Sequence, residues 1–417
     1  MFNLNTGIHP GAIKLLKNPK EFFQWFKIKN FSPVKEMLYV HFVPKLKQYT
    51  NKLNIYAGYQ LSPDNISFLN IELDVLANYI SENYKDGTEL IFENAHEGGS
   101  GRMFARLHDL VDMTGIPASK FHYVACLVNL TELYEKFCQQ NNIEEKINLY
   151  GIMTFEYSSM NNLQNIDHPK IFNTSKEKLF LCFNRVIRAH RTFLVSLLLK
   201  EKLVSKSYYS YFPNGSHALS NELVDTNPWF IYNPNYFHNP NLFIEMQQVF
   251  NANLSNMPYK LNIEADNNKV GVDSDDYLFF ENSWFSLVTE TFFFPINSDV
   301  SEKYHATDDD GAFFSEKIFK PIQMCHPFIL VSSCHSLKYL RKLGYRTFHP
   351  HINESYDDIE NHGERMLAIV REVKRLDSLT LEEKHQWLTA VLPVALHNYL
   401  TLRSKTTADV LVNSTVG

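Results

Sequence analysis

The stretch "NRVIRAHR", residues 184–191, gathers three arginines and a histidine within eight positions. It follows the apolar run "KLFLCF" and opens "AHRTFLVSLLLKEKL", so it sits where a strand hands over to a helix. The first turn of a helix presents unpaired N–H donors and the positive end of the macrodipole, which together favour an anion. Cations are disfavoured at that end, so a cluster of them calls for a negative partner. Arginine forks match phosphate oxygens. Asn184, Arg185, Arg188, His190 and Arg191 are therefore candidate phosphate-binding residues. A solvated helix start with ion pairs is the competing reading.

A second stretch, "FFSEKIFKPIQMCHPFILVSS", spans residues 313–333. Ser315 suits a helix N-cap, and Pro321 would kink a helix running straight through. Glu316 could accept ribose hydroxyls, as an acidic residue does in dinucleotide-binding sheets, with Lys317 against a diphosphate. The alternative is an exposed Glu–Lys pair of little energetic worth. A third stretch, "FFENSWFSLVTET", residues 279–291, places Glu281, Asn282 and Ser283 after apolar residues, as polar groups at a strand end are placed. The acidic runs "DSDD" at 273–276 and "DDD" at 308–310 supply hard oxygen ligands of the kind Mg²⁺ takes. Solvated loops explain them better, and no metal site is expected.

The elements that must position these residues alternate. From about residue 52 to 157 the pattern reads strand ("LNIYAGY"), helix ("NIELDVLANYISENYKDG"), strand ("TELIFEN"), glycine-rich loop ("AHEGGSG"), helix, strand ("FHYVACLV"), helix and strand ("INLYGIMTF"). Repeated strand–helix–strand units imply a parallel sheet covered by helices. Residues 158–177 are polar and rich in turn formers, which reads as a linker. The alternation then restarts at "KLFLCF" and includes a short strand at "YRTF". It closes on two long helical patterns, "GERMLAIVREVKRL" and "LTLEEKHQWLTAVLPVALHNYLTLRSK". The expected fold class is α/β: two Rossmann-like domains facing a cleft, with C-terminal helices. The expected boundaries are 1–165 for the first domain, 166–375 for the second and 376–417 for the helices.

Composition narrows the function classes. The chain has 417 residues, 44% hydrophobic and 21% charged, which is globular. Its net charge of −6 argues against a broad nucleic-acid face. Lys14, Lys17, Lys20, Lys27, Lys29, Lys35, Lys45 and Lys47 nevertheless make the first fifty residues basic, which keeps duplex DNA as a minor partner. Five cysteines form no CxxC arrangement, so neither a zinc site nor a disulfide framework is indicated. No run of apolar residues is long enough to cross a membrane, and the N-terminus lacks the shape of a leader peptide. A cytoplasmic protein with no transmembrane segment is expected.

The "FENS" of residues 280–283, the Ser315–Glu316–Lys317 triplet and the "PFILV" strand resemble the donor-binding signature of the alpha-1,3-fucosyltransferase family. The series from "EKIFKPI" to "ESYD" also resembles glycosyltransferase-like proteins of bacteria and phages. The resemblance implies a glycosyltransferase of the B-type fold. Such an enzyme would move a sugar from a nucleotide-sugar donor, GDP- or UDP-linked, to a carbohydrate or other hydroxyl acceptor. Metal-independent, inverting chemistry without a cofactor is implied, with a phage-type DNA-base glycosyltransferase or a non-catalytic nucleotide- or carbohydrate-binding module as alternatives. Glu281, Asn282 and Ser283 would line the donor cleft, Glu316 would meet the ribose and Lys317 the diphosphate. An inverting enzyme needs a general base, and Glu93, His96 and Glu97 at the end of "TELIFEN" are the options. This chain departs from the family pattern in that residues 284–314 separate the two motifs and Ser315 stands where the family has threonine.

Overall fold

The computed structural model describes residues 52–56, 73–85, 88–94, 101–161, 163, 175–184, 188–211, 239–257, 261, 277–293, 301, 303–305, 311–406, 409 and 411–415. The chain forms two compact units. Unit 1 comprises Met1–Thr154, Pro295–Phe313 and Thr406–Gly417, and unit 2 comprises Phe155–Phe294 and Phe314–Lys405. Among the described residues no helix is long and apolar enough to cross a membrane.

Unit 1 holds β1 (Lys52–Tyr56), α1 (Leu73–Asn83), β2 (Glu89–Asn94), α2 (Gly101–Thr114), β3 (Phe121–Ala125), α3 (Leu130–Asn141) and β4 (Asn148–Ile152). The strands β1, β2, β3 and β4 pair in parallel in sequence order, as strand–helix–strand units require. A strand from the far end of the chain, β9 (Leu411–Thr415), adds to β4 in antiparallel register. β3 and β4 are buried along their whole length, which explains why their sequences read as apolar runs. Helix α3 buries Leu130, Leu133, Tyr134, Phe137 and Cys138, the three- and four-residue spacing of one helix face. It stops at Asn142, whose φ of 52° is the left-handed conformation that asparagine tolerates. The polar members of this core are paired: His122 bridges Glu89 at 2.8 Å and the Tyr150 hydroxyl at 3.2 Å.

Unit 2 opens with α4 (Thr154–Asn161), so the start of the expected linker is helical. Then come β5 (Lys178–Cys182), α5 (Ala189–Lys200), β6 (Tyr208–Tyr209), α6 (Pro240–Ala252), α7 (Tyr277–Glu281), β7 (Ser283–Thr289), α8 (Glu316–Gln323) and β8 (Phe328–Val331). Three further helices, α9 (Ser336–Lys342), α10 (His362–Ser378) and α11 (Leu381–Ser404), complete it. The sheet order is β6-β5-β7-β8, every pair parallel. The mixed α/β organisation expected from the sequence is thus present in each unit.

The order of the second sheet matters for function. The chain leaves β5 for β6 on one side, then crosses back to place β7 on the other side of β5. That reversal makes a topological switch point between β5 and β7, and ligands of open parallel sheets bind beyond the carboxyl ends of strands at such a point. The described parallel strands of unit 1 run in sequence order and show no such reversal.

Two local expectations fail for identifiable reasons. "YRTF" is not a strand: the backbone of Arg346 is held by both ends of the Asn398 carboxamide, and Phe348 N–H donates to Glu354. Those side chains take the place of a ladder. "FFENS" does not end a strand, because α7 stops at Glu281 and β7 only begins at Ser283.

Candidate anion-binding site

The carboxyl ends of β5 and β7 are bolted together by one carboxamide. Asn184, buried two residues beyond β5, accepts from Thr289 Oγ1 at the end of β7 and donates to Cys182 Sγ and the Tyr209 hydroxyl. Its backbone N–H donates to Ser210 Oγ at 3.1 Å. Side chains and backbone from the ends of β5, β6 and β7 therefore converge on it. Asn184 fixes the floor of the switch point and spends its hydrogen-bonding groups doing so.

Helix α5 begins on this floor. Arg188 is its N-cap residue, in extended conformation and with no side-chain cap hydrogen bond. His190 Nε2–H donates to the Glu290 carbonyl at 2.9 Å, and Arg191 donates to the Thr289 carbonyl at 3.2 Å. Both side chains are buried, so they tie α5 to the end of β7 rather than reach solvent. Burial first, then the positive charges of Arg191, Arg188 and Lys317, hold His190 far below the usual histidine range. His190 is therefore a neutral donor at pH 7. Burial and the Arg188 charge likewise bring Arg191 down to about 10.

Helix α8 begins beside the end of β7. Ser315 N–H donates to both oxygens of the Glu290 carboxylate, and Ser315 Oγ donates to Oε2 at 2.6 Å. The same hydroxyl oxygen accepts from Lys317 N–H at 3.3 Å, capping the helix. Lys317 Nζ reaches Ser315 Oγ at 3.0 Å and Glu316 Oε1 at 2.9 Å. Glu290 is fully buried, and burial pushes its carboxyl above the ordinary range against the pull of Lys317 and Ser315. Burial also acts to raise Glu316, but the charge and hydrogen bond of Lys317 more than offset it and leave its carboxyl below the ordinary value.

The structure thus brings Asn184, Arg188, His190, Arg191, Ser315, Glu316 and Lys317 to one edge of the second sheet. Three basic side chains, Arg188, Arg191 and Lys317, gather there with two acidic ones, Glu290 and Glu316. Arg188 and Lys317 are the cations that keep solvent access. Glu290 is the member that sequence reasoning passed over. Its signal was present, a lone acid directly after the apolar run "SWFSLVT", where a strand's carboxyl end falls.

Other candidates fall elsewhere. Glu281, Asn282 and Ser283 stand at the opposite, amino end of β7, so the length of a seven-residue strand, about 20 Å, separates them from Glu290. There they act structurally: the Asn282 carbonyl accepts from Glu177 and Lys178 N–H, the Glu281 carbonyl accepts from Lys176 Nζ, and Ser283 Oγ donates to Phe279 O. Glu93 lies in β2, in the first sheet. His96, Glu97, Arg185, both acidic runs and the N-terminal lysines lie outside the described residues.

Comparison with known proteins gives no family. No family model matches the chain, and no curated protein matches it. A solved structure, that of the Candida albicans trehalose-6-phosphate phosphatase N-terminal domain, is similar at 10% identity and a TM-score of 0.37, over 82% of this chain and 71% of that one. A likeness that low carries no argument about activity.

These findings correct the functional expectation. The fucosyltransferase-like resemblance finds no support in any family model or curated protein. The reading as a nucleotide-sugar glycosyltransferase is withdrawn, together with its DNA-base and binding-module alternatives. The nucleotide-sugar, carbohydrate and duplex-DNA partners go with it, and the B-type assignment of the fold is left unsupported. Physically, the misplaced motif explains the error: the "FENS" residues and the Ser315–Lys317 triplet occupy opposite ends of β7 and cannot grip one donor.

Proposed function

We propose that unit 2 binds a small ligand through a phosphate-type dianionic group, held beyond the carboxyl ends of β5 and β7. The observation that carries this reading is the coincidence of a switch point in the β6-β5-β7-β8 sheet with the Arg188, Arg191 and Lys317 cluster. The uncapped first turn of α5 adds donors to the same edge. Arg188 and Lys317, both half-buried, supply the solvent-accessible charge, with Lys317 exchanging its Glu316 partner for the ligand. His190 and Arg191 stay buried behind them and hold the helix to the sheet.

Calorimetric titration with inorganic pyrophosphate and with phosphate tests the reading. Saturable binding to the wild type is expected. Lys317→Ala and Arg188→Ala should each weaken it about tenfold, or about 1.4 kcal/mol. Affinity for a phosphate monoester such as glycerol phosphate should rise from pH 5 to pH 7 as that ligand gains its second charge near about pH 6. Undiminished binding in both variants would remove the site from this edge.

A further inference from the structure

An acidic side chain, Glu316, stands at the edge of unit 2 where an anion would bind, and phosphate recognition alone gives it no task. Its Oε1 accepts from Lys317 Nζ at 2.9 Å, and its carboxyl lies below the ordinary value, so it is ionised at neutral pH. The Lys317 and Glu316 side chains are 26% and 24% exposed, so the pair is open to an incoming ligand. The two carboxyls of the site differ in what they lose when Lys317 turns to that ligand. Glu290 is held by Ser315 N–H, by Ser315 Oγ at 2.6 Å and by Thr291 N–H at 3.3 Å, and none of these bonds involves Lys317. Glu316 has Lys317 as its ion-pair partner, while Arg191 and Lys320 act on it through space. Arg191 is bound to the Thr289 carbonyl, and that bond holds it in place. Withdrawing Lys317 therefore leaves Glu316 a half-buried carboxylate beside the bound anion. Stripping a partly buried charge of its partner is costly, and a like charge next to the ligand adds repulsion. A bare dianion meets both penalties. A ligand that brings its own cation next to its phosphate avoids them, because that cation takes the place Lys317 leaves.

We propose that the ligand is an aminoalkyl phosphate, a phosphate monoester with an ammonium group on its short chain. The phosphate lies against Arg188 and Lys317, and the ammonium replaces Lys317 on Glu316. This rests on the anion-binding reading above and names the chemistry of its ligand. Glu316 then acts as a selector: it penalises a plain phosphate and rewards the zwitterion. The same two groups occur in an ethanolamine lipid headgroup. There the phosphate is a diester with a single negative charge, and the three basic side chains gathered at this edge favour the free dianion.

Calorimetric titration of the full chain at pH 7 with O-phosphoethanolamine and with ethyl phosphate tests this. The two esters share the dianion and the two-carbon chain and differ in the ammonium. The wild type should bind O-phosphoethanolamine about tenfold tighter than ethyl phosphate. Glu316→Gln keeps the size of the side chain and removes its charge. That variant should bind ethyl phosphate about threefold tighter than the wild type does, and its preference between the esters should shrink to about threefold or less. A merely loosened site would weaken both esters together and leave their ratio unchanged. Equal wild-type affinities, or a preference that survives Glu316→Gln, would overturn the proposal and leave the anion site standing. Binding of neither ester and of no pyrophosphate would remove the anion site and this proposal with it. Sedimentation with phosphatidylethanolamine vesicles separates the two sources of the group: capture by the vesicles without binding of the free ester would overturn the assignment to a free aminoalkyl phosphate.

Discussion

At the scale of residues, the site divides by burial. Arg191 and His190 are buried and bonded to backbone carbonyls of β7, so their loss should register as instability. Arg188 and Lys317 keep access to water, so their loss should register in binding. Arg191→Leu removes two buried charge-assisted bonds and is expected to cost about 2–4 kcal/mol of stability, checked by denaturant unfolding. Lys317→Ala should leave unfolding within about 0.5 kcal/mol of wild type, because its Glu316 bond is a partly exposed ion pair. The sequence made the cations legible because charge at a helix start is locally anomalous. It did not make legible which of them face water, since that depends on where β7 ends, a hundred residues downstream of α5.

At the scale of elements, α8 shows what local pattern can and cannot say. Ser315 was readable as a cap from its type and from the apolar helix after it, and it is one, accepting from Lys317 N–H. Its second role, donating to buried Glu290, required a contact across 25 residues that no periodicity encodes. Ser315→Ala removes both and leaves Glu290 with fewer donors, so a loss of about 2–3 kcal/mol is expected by thermal or chemical unfolding. The "FENS" stretch failed for the opposite reason. Its polar residues were read as the end of one strand when α7 had just closed and β7 was about to start. A polar cluster beside an apolar run marks a strand boundary without saying which end it is. Likewise β9 escaped notice because five residues at the far end of the chain pair with a strand some 260 positions earlier.

At the scale of the whole molecule, three of the buried histidines, His108, His190 and His326, shape the response to acid. His108 lies against Tyr134 and within the field of Asp112 and Lys303, and burial pulls it down to about 4. His326, between Ser286 Oγ and the Ser283 carbonyl and near Lys176, is pulled down to about 3 by burial. His190 is depressed in the same direction. A depressed folded pKa means stability that is present above the unfolded value near 6.5 and is lost as pH falls through the folded value. Asp357, which caps α9 through Leu337 N–H, opposes this: burial raises it to about 6, so it favours the folded state on acidification. Burial raises the carboxyls of Glu290, Glu354 and Asp109 as well, and these act in the same sense as Asp357. The three histidines each make stability fall with pH below about 6.5, a slope measured by urea unfolding between pH 7 and pH 5. His326→Gln should remove about one proton from that slope. An unchanged slope would mean that His326 is not buried neutral.

A phosphate-type anion held at the switch point of the second sheet is the central proposal for this protein. Hydrogen exchange with and without saturating pyrophosphate tests it most directly. Protection confined to the start of α5, residues 188–192, and the start of α8, residues 315–318, is the predicted result. Protection at the amino end of β7 around Glu281–Ser283, or none at either helix start under saturation, would contradict it.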